Sequence, residues 1–170
     1  MLQALMLRLR DVRTISALCR SAEAHARAEG QSQPGAEHFV LAALELGDGT
    51  AGRAFERVRA DPDQFRAAIA RQYADALRQV GVDAPGLGTD EDDAPPASGI
   101  YRAAPSGQSV MQGLAERRAH DRHTPLLGAH VIEVVAAMEH GVAARALRAM
   151  GVAPASLAAA AQAEAAQPRT

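Results

Sequence analysis

The sequence predicts an all-α fold, on three observations. Apolar residues recur at helical spacing through most of the chain, the apolar share is built mainly from Ala, Leu and Val, and strand-favouring aromatics are scarce. Of the 170 residues 48% are hydrophobic, enough to fill the core of one domain or of two small halves, yet there is no Trp and only two Tyr and three Phe. With 18 basic and 20 acidic side chains the net charge is -2, so no global field draws the molecule to nucleic acid or to an anionic membrane. Cys19 is the single cysteine, which excludes an internal disulfide. Its place beside Ile15, Leu18 and Ala22 marks a small buried hydrophobe and fits a reducing cytoplasm.

The elements follow in order. Leu2, Leu5, Met6 and Leu9 stand at helical spacing, but Arg8, Arg10, Asp11 and Arg13 interrupt them. The segment therefore reads as an amphipathic helix and not as a signal peptide or membrane span. Val12, Ile15, Leu18, Cys19 and Ala22 carry a helix to Gly30, a helix-stop residue, and Gln31–Gly35 is a polar loop. Spacing resumes from Phe39 to Leu46 and breaks at Gly47-Asp48-Gly49; a short helix runs from Thr50 to about Arg59 with Ala51, Ala54, Phe55 and Val58 on one face. Asp61-Pro62-Asp63 then reads as N-cap, first-turn proline and first-turn acid of a helix ending near Val80.

From Gly81 to Gly107, Gly, Pro, Ser and the acidic run Asp90-Glu91-Asp92-Asp93 replace the periodicity, which reads as an acidic linker or long loop. Val110, Met111, Leu114 and Ala115 open a further helix that fades near Arg122. Beyond it the chain repeats itself. At a shift of 92 positions His38 falls on His130, Gly49 on Gly141, Ala51 on Ala143, Arg53 on Arg145, Ala54 on Ala146 and Pro62 on Pro154. Phe55, Val58 and Phe65 fall on Leu147, Met150 and Leu157, so apolar character persists where residue type changes. The expected organisation is one module over 1–170, with a first repeat at 12–80, the linker at 81–107 and a second repeat at 108–162.

Glu37-His38 at a helix start, aliphatics after it, then Gly-x-Ala-x-Arg-Ala and a further helix, with most of this frame duplicated, resembles the N-terminal (Clp repeat) domain of Clp-family protein unfoldases such as ClpA and ClpC. The lead-in from Ala22 to Gly30 is similar to that family's first helix and its closing glycine. The resemblance implies a pseudo-twofold bundle of about eight helices, in two repeats of four, that captures substrates or adaptor proteins. No Gly-x-x-x-x-Gly-Lys-[Ser/Thr] phosphate loop is present, so no nucleotide is expected, and the resemblance implies a free-standing substrate-binding module. In some relatives the acid before the His of each repeat holds the guanidinium of phosphoarginine. Glu37 matches that position in the first repeat, Ala129 stands there in the second, and the preceding threonine is Ala36 or Gly128. At most one such site is expected.

Other motifs read as structure. Gly47-Asp48-Gly49-Thr50-Ala51-Gly52 satisfies G-x-G-x-x-G, but a helix precedes it and the second copy keeps one glycine of the three, Gly141, so it marks a helix break. His120 and His123 could offer two nitrogens to a metal; surface positions account for them more simply, and no metal or cofactor is expected. His38 and His130, equivalent residues at helix starts, point to a shared structural task such as bonding a loop carbonyl. Arg117 and Arg118 could meet a nucleic-acid phosphate, but Glu116 and Asp121 beside them indicate a self-paired face, and no aromatic stands near to stack on a base. Arg53 and Arg145 are expected to tie short helices to neighbouring carbonyls or acids.

No nucleophile with a base at a recognisable spacing is found, so an enzyme is not expected. The sequence points to a cytoplasmic module that binds proteins or peptides (Clp substrates, adaptors or unfoldase components) as an adaptor or as a ligand-sequestering decoy. Its site is expected in an apolar groove where the repeats meet, with Glu37, His38 and His130 as candidate peptide-binding residues. The alternative reading is a small helical DNA-binding regulator that uses the Arg117-Arg118 helix; a third is a cryptic hydrolase.

Overall fold

The computed structural model describes residues 2–81 and 101–167, and all of its regular structure is helical. Eight helices are seen among these residues: α1 (Leu2–Ala28), α2 (Ala36–Leu44), α3 (Thr50–Arg57), α4 (Pro62–Gln79), α5 (Pro105–His120), α6 (Gly128–Ala136), α7 (Val142–Ala149) and α8 (Pro154–Ala165). The acidic run at 90–93 lies outside the described residues. Helix α5 begins at Pro105, earlier than the periodicity alone indicates, because Pro105 supplies a first helical residue and Ser106 and Gly107 are drawn against the α2 entry loop.

The shift of 92 read from the sequence carries α2 onto α6 and α3 onto α7, end to end, and carries the start of α4 onto that of α8 and the end of α1 onto that of α5. The stop signals match as well. Helix α3 ends in a Schellman motif, Arg59 N–H donating to Glu56 and Ala60 N–H to Phe55, and α7 ends in the same motif through Gly151 and Val152. That motif needs a left-handed residue, supplied by Gly151 at φ +71° and, at the equivalent position, by Arg59 at φ +55°.

The core runs through both copies without interruption. Phe39, Phe55 and Phe65 are fully buried, and their equivalents Val131, Leu147 and Leu157 are buried too. Phe55 and Phe65 meet edge to face at 5.8 Å. The space between Val40, Phe55, Ile132, Val135 and Leu147, where the repeats meet, is too small for a water molecule. The expected apolar groove at this seam is thus closed core.

The repeats interlock by exchange. Helix α3 lies on α8 of the second repeat, and α7 lies on α4 of the first. Across the first contact Arg53 Nε donates to Glu164 Oε2 at 2.7 Å, and Arg57 donates to the other carboxylate oxygen. Across the second, Arg145 Nε donates to Gln72 Oε1 at 3.0 Å, and Gln72 is the position equivalent to Glu164. The arginines therefore tie short helices to side chains of the other repeat. Burial alone would raise the Glu164 carboxyl, but the two guanidinium groups outweigh it and hold the group below its ordinary value.

A third tie caps α6 from the opposite copy. Asp48 Oδ2 accepts from Gly128 N–H at 3.0 Å, and Thr50 Oγ1 accepts from Ala129 N–H at 2.8 Å. The glycine-rich segment 47–52 is thus a helix break whose polar side chains satisfy the start of another helix, with Gly49 left-handed at φ +65°.

Two outcomes follow. Arg59→Gly removes the cost of a Cβ in the left-handed region and raises stability by about 1 kcal/mol, less the extra chain entropy of glycine, as read by urea denaturation. Glu164, held low in the fold, stabilises it above the ordinary carboxyl value of about 4.5 and ceases to as pH falls through the lower folded value. Glu164→Gln should therefore flatten the loss of stability between about pH 5 and pH 2 that the parent shows, measured as the urea midpoint across that range.

Candidate functional site

Glu37 and His38 open α2, and both are withdrawn from solvent, at 4% and 0% exposure; His130, opening α6, is at 2%. Gly35 N–H donates to His38 Nδ1 at 2.8 Å, so that nitrogen carries the lone pair and Nε2 carries the proton, which it donates to Glu29 Oε2 at 3.2 Å. Glu37 Oε1 lies 3.5 Å from Nδ1, but the nitrogen is already an acceptor, so the contact is not an ion pair. Leu127 N–H donates to His130 Nδ1 at 3.1 Å in the same arrangement. Each histidine does shared structural work: its Nδ1 accepts from an amide N–H at a helix start, where the sequence suggested bonding to a loop carbonyl.

Glu37 is placed by its neighbours. Its carboxylate lies over Gly35, where an added Cβ would stand 2.5 Å from Oε1, so a larger residue there would push the carboxylate from its place. Tyr73 of α4 donates its hydroxyl to Oε1 and lays its ring parallel to that of His38, with centroids 6.2 Å apart. Burial first, and the bond to Glu37 second, push the Tyr73 hydroxyl above its ordinary value, so it stays a donor. In the second copy both members of the pair are absent: Ala129 replaces Glu37, and Ala165 stands at the position equivalent to Tyr73.

Arg117 and Arg118, in the last turn of α5, are engaged in structural contacts. Arg117 Nη1 donates to Glu133 Oε2 at 2.9 Å, and Arg118 Nε lies 2.5 Å from Oδ2 of the buried Asp11 in α1. Asp11 Oδ1 also accepts from Leu126 N–H at 2.8 Å, and Arg118 reaches the carbonyls of Asp121 and Thr124. The carboxylates they meet, Glu133 and Asp11, come from other helices, whereas the sequence suggested Glu116 and Asp121. Asp121 instead caps its own turn through Thr124 and His123, which hold its carboxyl down at about 2. His120 closes α5 and His123 sits in the turn beyond, so the two do not share a helix face. Cys19 is half-buried against the core, and burial raises its thiol, which leaves it poorly nucleophilic.

Solvent-facing apolar surface is concentrated at one place. Of the large hydrophobic side chains exposed among the described residues, all but Val80 lie on the first turns of α1: Leu5 at 58%, Met6 at 65%, Leu9 at 49% and Val12 at 61%. The helix is one continuous element, and from Ile15 onward it packs on the bundle through Leu18, Ala22 and Ala26. The stripe lies on the turns before that contact begins. Sequence periodicity announced these residues as a helix face but not that nothing covers them, because the tie that fixes α1, Asp11 to Arg118 and Leu126, spans more than a hundred residues.

The family model for the Clp repeat (R) N-terminal domain matches residues 13–92. Residues 13–92 carry a Clp repeat N-terminal domain. Through the shift of 92, α5 to α8 reproduce helix boundaries of the matched part of this Clp repeat domain. Such domains are the substrate- and adaptor-recognition modules of Clp unfoldases. No curated protein matches the chain. Among the described residues no helix is long and apolar enough to cross a membrane.

His38→Ala strips the buried Gly35 N–H of its acceptor and Glu29 of a donor, and should lower unfolding stability by about 2–3 kcal/mol in urea titration. His130→Ala, which orphans Leu127 N–H, should fall in the same range.

Proposed function

We propose that the protein is a recognition module that binds protein or peptide partners and performs no chemistry on them, acting in the cytoplasm either as an adaptor that delivers a substrate or as a decoy that sequesters one. The observation that carries this reading is the stripe Leu5, Met6, Leu9 and Val12, apolar surface held in solvent on a helix anchored to a closed core. In a domain of a recognition family, such a surface is accounted for by a partner that covers it.

Glu37 has a second part in this proposal. The Tyr73 hydroxyl occupies the place on its carboxylate that a guanidinium would take, and Tyr73 is itself only half-buried, so rotation of that ring would open a single acid to an arginine side chain. His38 and His130 enter by holding the loops that place α2 and α6, not by touching a ligand.

Capture from a bacterial lysate on the immobilised chain is the direct test. Enrichment of Clp components or their substrates is the expected result, and a chain that retains no protein would end the recognition reading. For Glu37, Glu37→Ala should weaken binding of arginine-bearing peptides roughly tenfold, the scale of one charged hydrogen-bonded contact. Unchanged affinity would remove Glu37 from the site.

A further inference from the structure

We infer that the exposed stripe of α1 is one half of a short coiled coil, and that its partner is a helix of another protein carrying carboxylates along both edges of its own apolar seam. The inference rests on the recognition reading above and names the partner's chemistry.

Spacing is the first ground. Leu5, Leu9 and Val12 follow one another at four and three residues, and the sequence extends the same spacing back to Leu2. That alternation is the 3.5-residue repeat of a coiled-coil seam, and Met6 widens it along one edge. Beyond Val12 the same helix is seated on the bundle through Leu18, Ala22 and Ala26, which are already buried. Farther along, one row of the seam turns polar at Ser16 and Glu23 and the other passes to Cys19 and Ala26, which pack on the bundle, so the exposed seam is confined to the first turns.

Charge is the second ground, and it selects the occupant. From Leu2 to Arg20 the exposed ionisable side chains are Arg8, Arg10, Arg13 and Arg20. The stretch's one acid, Asp11, is buried against Arg118 and gives the surface no negative charge. Arg8 and Arg13 flank the seam five residues apart, the separation at which edge residues of two parallel strands meet. A second copy in parallel would set Arg8 against Arg13, and an antiparallel copy would set Arg8 against Arg8. Self-pairing is opposed in both directions. A helix with Glu or Asp at its edges meets arginines on both sides.

The test uses the full chain and two synthetic helical peptides with leucine at the seam spacing, one with glutamate at the edges and one with lysine. The glutamate peptide should bind roughly tenfold or more tightly than the lysine peptide, and its binding should weaken with salt. The doubly reversed Arg8→Glu, Arg13→Glu protein should prefer the lysine peptide. Leu5→Gln with Leu9→Gln should abolish binding of both while circular dichroism and thermal melting stay unchanged, since neither side chain is buried.

Equal affinity for the two peptides, binding of neither, or binding that survives the leucine changes would each overturn the inference. So would stripe-dependent binding to vesicles of phosphatidylserine and phosphatidylcholine, or a stripe-dependent dimer in sedimentation velocity. Lysate partners still captured by the Leu5→Gln, Leu9→Gln protein would leave the recognition role standing and remove only this surface.

Discussion

Neither repeat can bury its short helix by itself, and the exchange that solves this governs the rest of the molecule. Helices α3 and α7 follow a glycine break after α2 and α6, and each settles on the last helix of the other copy. A pair of short amphipathic helices of eight residues each would be marginal alone. Packed on α8 and α4 they close a core that runs from Phe39 through Ile132 to Leu157. Polar ties follow the same route: Arg53 and Arg57 to Glu164, Arg145 to Gln72, Asp48 and Thr50 to the start of α6. Each tie joins residues of different copies. The two halves are therefore expected to unfold together and not one after the other.

That arrangement explains what was legible in the sequence. Local signals placed the elements well: Gly30, Gly49 and Gly141 at breaks, Pro62 and Pro154 at starts, and apolar positions shared at a fixed shift. A shift preserved by duplication carries the register of a whole half, so one copy predicts the other. Contacts between the copies were not legible in the same way. Asp48 meets Gly128 across 80 positions and Asp11 meets Leu126 across 115, and no periodicity links such distances. The histidines show the limit within one motif. Their equivalence indicated a structural task, but the side of the bond depends on the extended backbone of Gly35 and Leu127, which aims an N–H and not a carbonyl at the ring.

The pseudo-twofold is kept where it makes core and released where it does not. Phe55 and Leu147, or Ala54 and Ala146, differ in bulk or not at all, and both members of each pair are buried. Glu37 and Tyr73, by contrast, are lost together to Ala129 and Ala165. The joint loss has a physical reason: a buried carboxylate without its hydroxyl donor, or a half-buried phenol without its acceptor, would stand in the fold with an unmet hydrogen bond. Glu164 and Gln72 diverge in charge but not in shape. Gln72 meets one arginine where Glu164 meets two, and a charged group gains the more from the second donor.

The exposed stripe belongs to the part of the chain that the duplication does not cover. At the shift of 92, Leu9 to Val12 of α1 correspond to Tyr101–Ala104, which are not helical, and α5 begins only at Pro105. Residues inside the duplicated frame face a partner element in the other copy, and their apolar side chains are consumed by the seam. The exposed apolar side chains Leu5, Met6 and Leu9 before it are not consumed in this way. The early turns of α1 are therefore free of the constraint that closed the expected groove, and apolar side chains there remain available to another molecule without opening the core. The anchor at Asp11, an ion pair with Arg118 and a bond from Leu126 N–H, holds α1 where the stripe begins to leave the bundle, so a partner would meet a helix already formed and lose little free energy in ordering it.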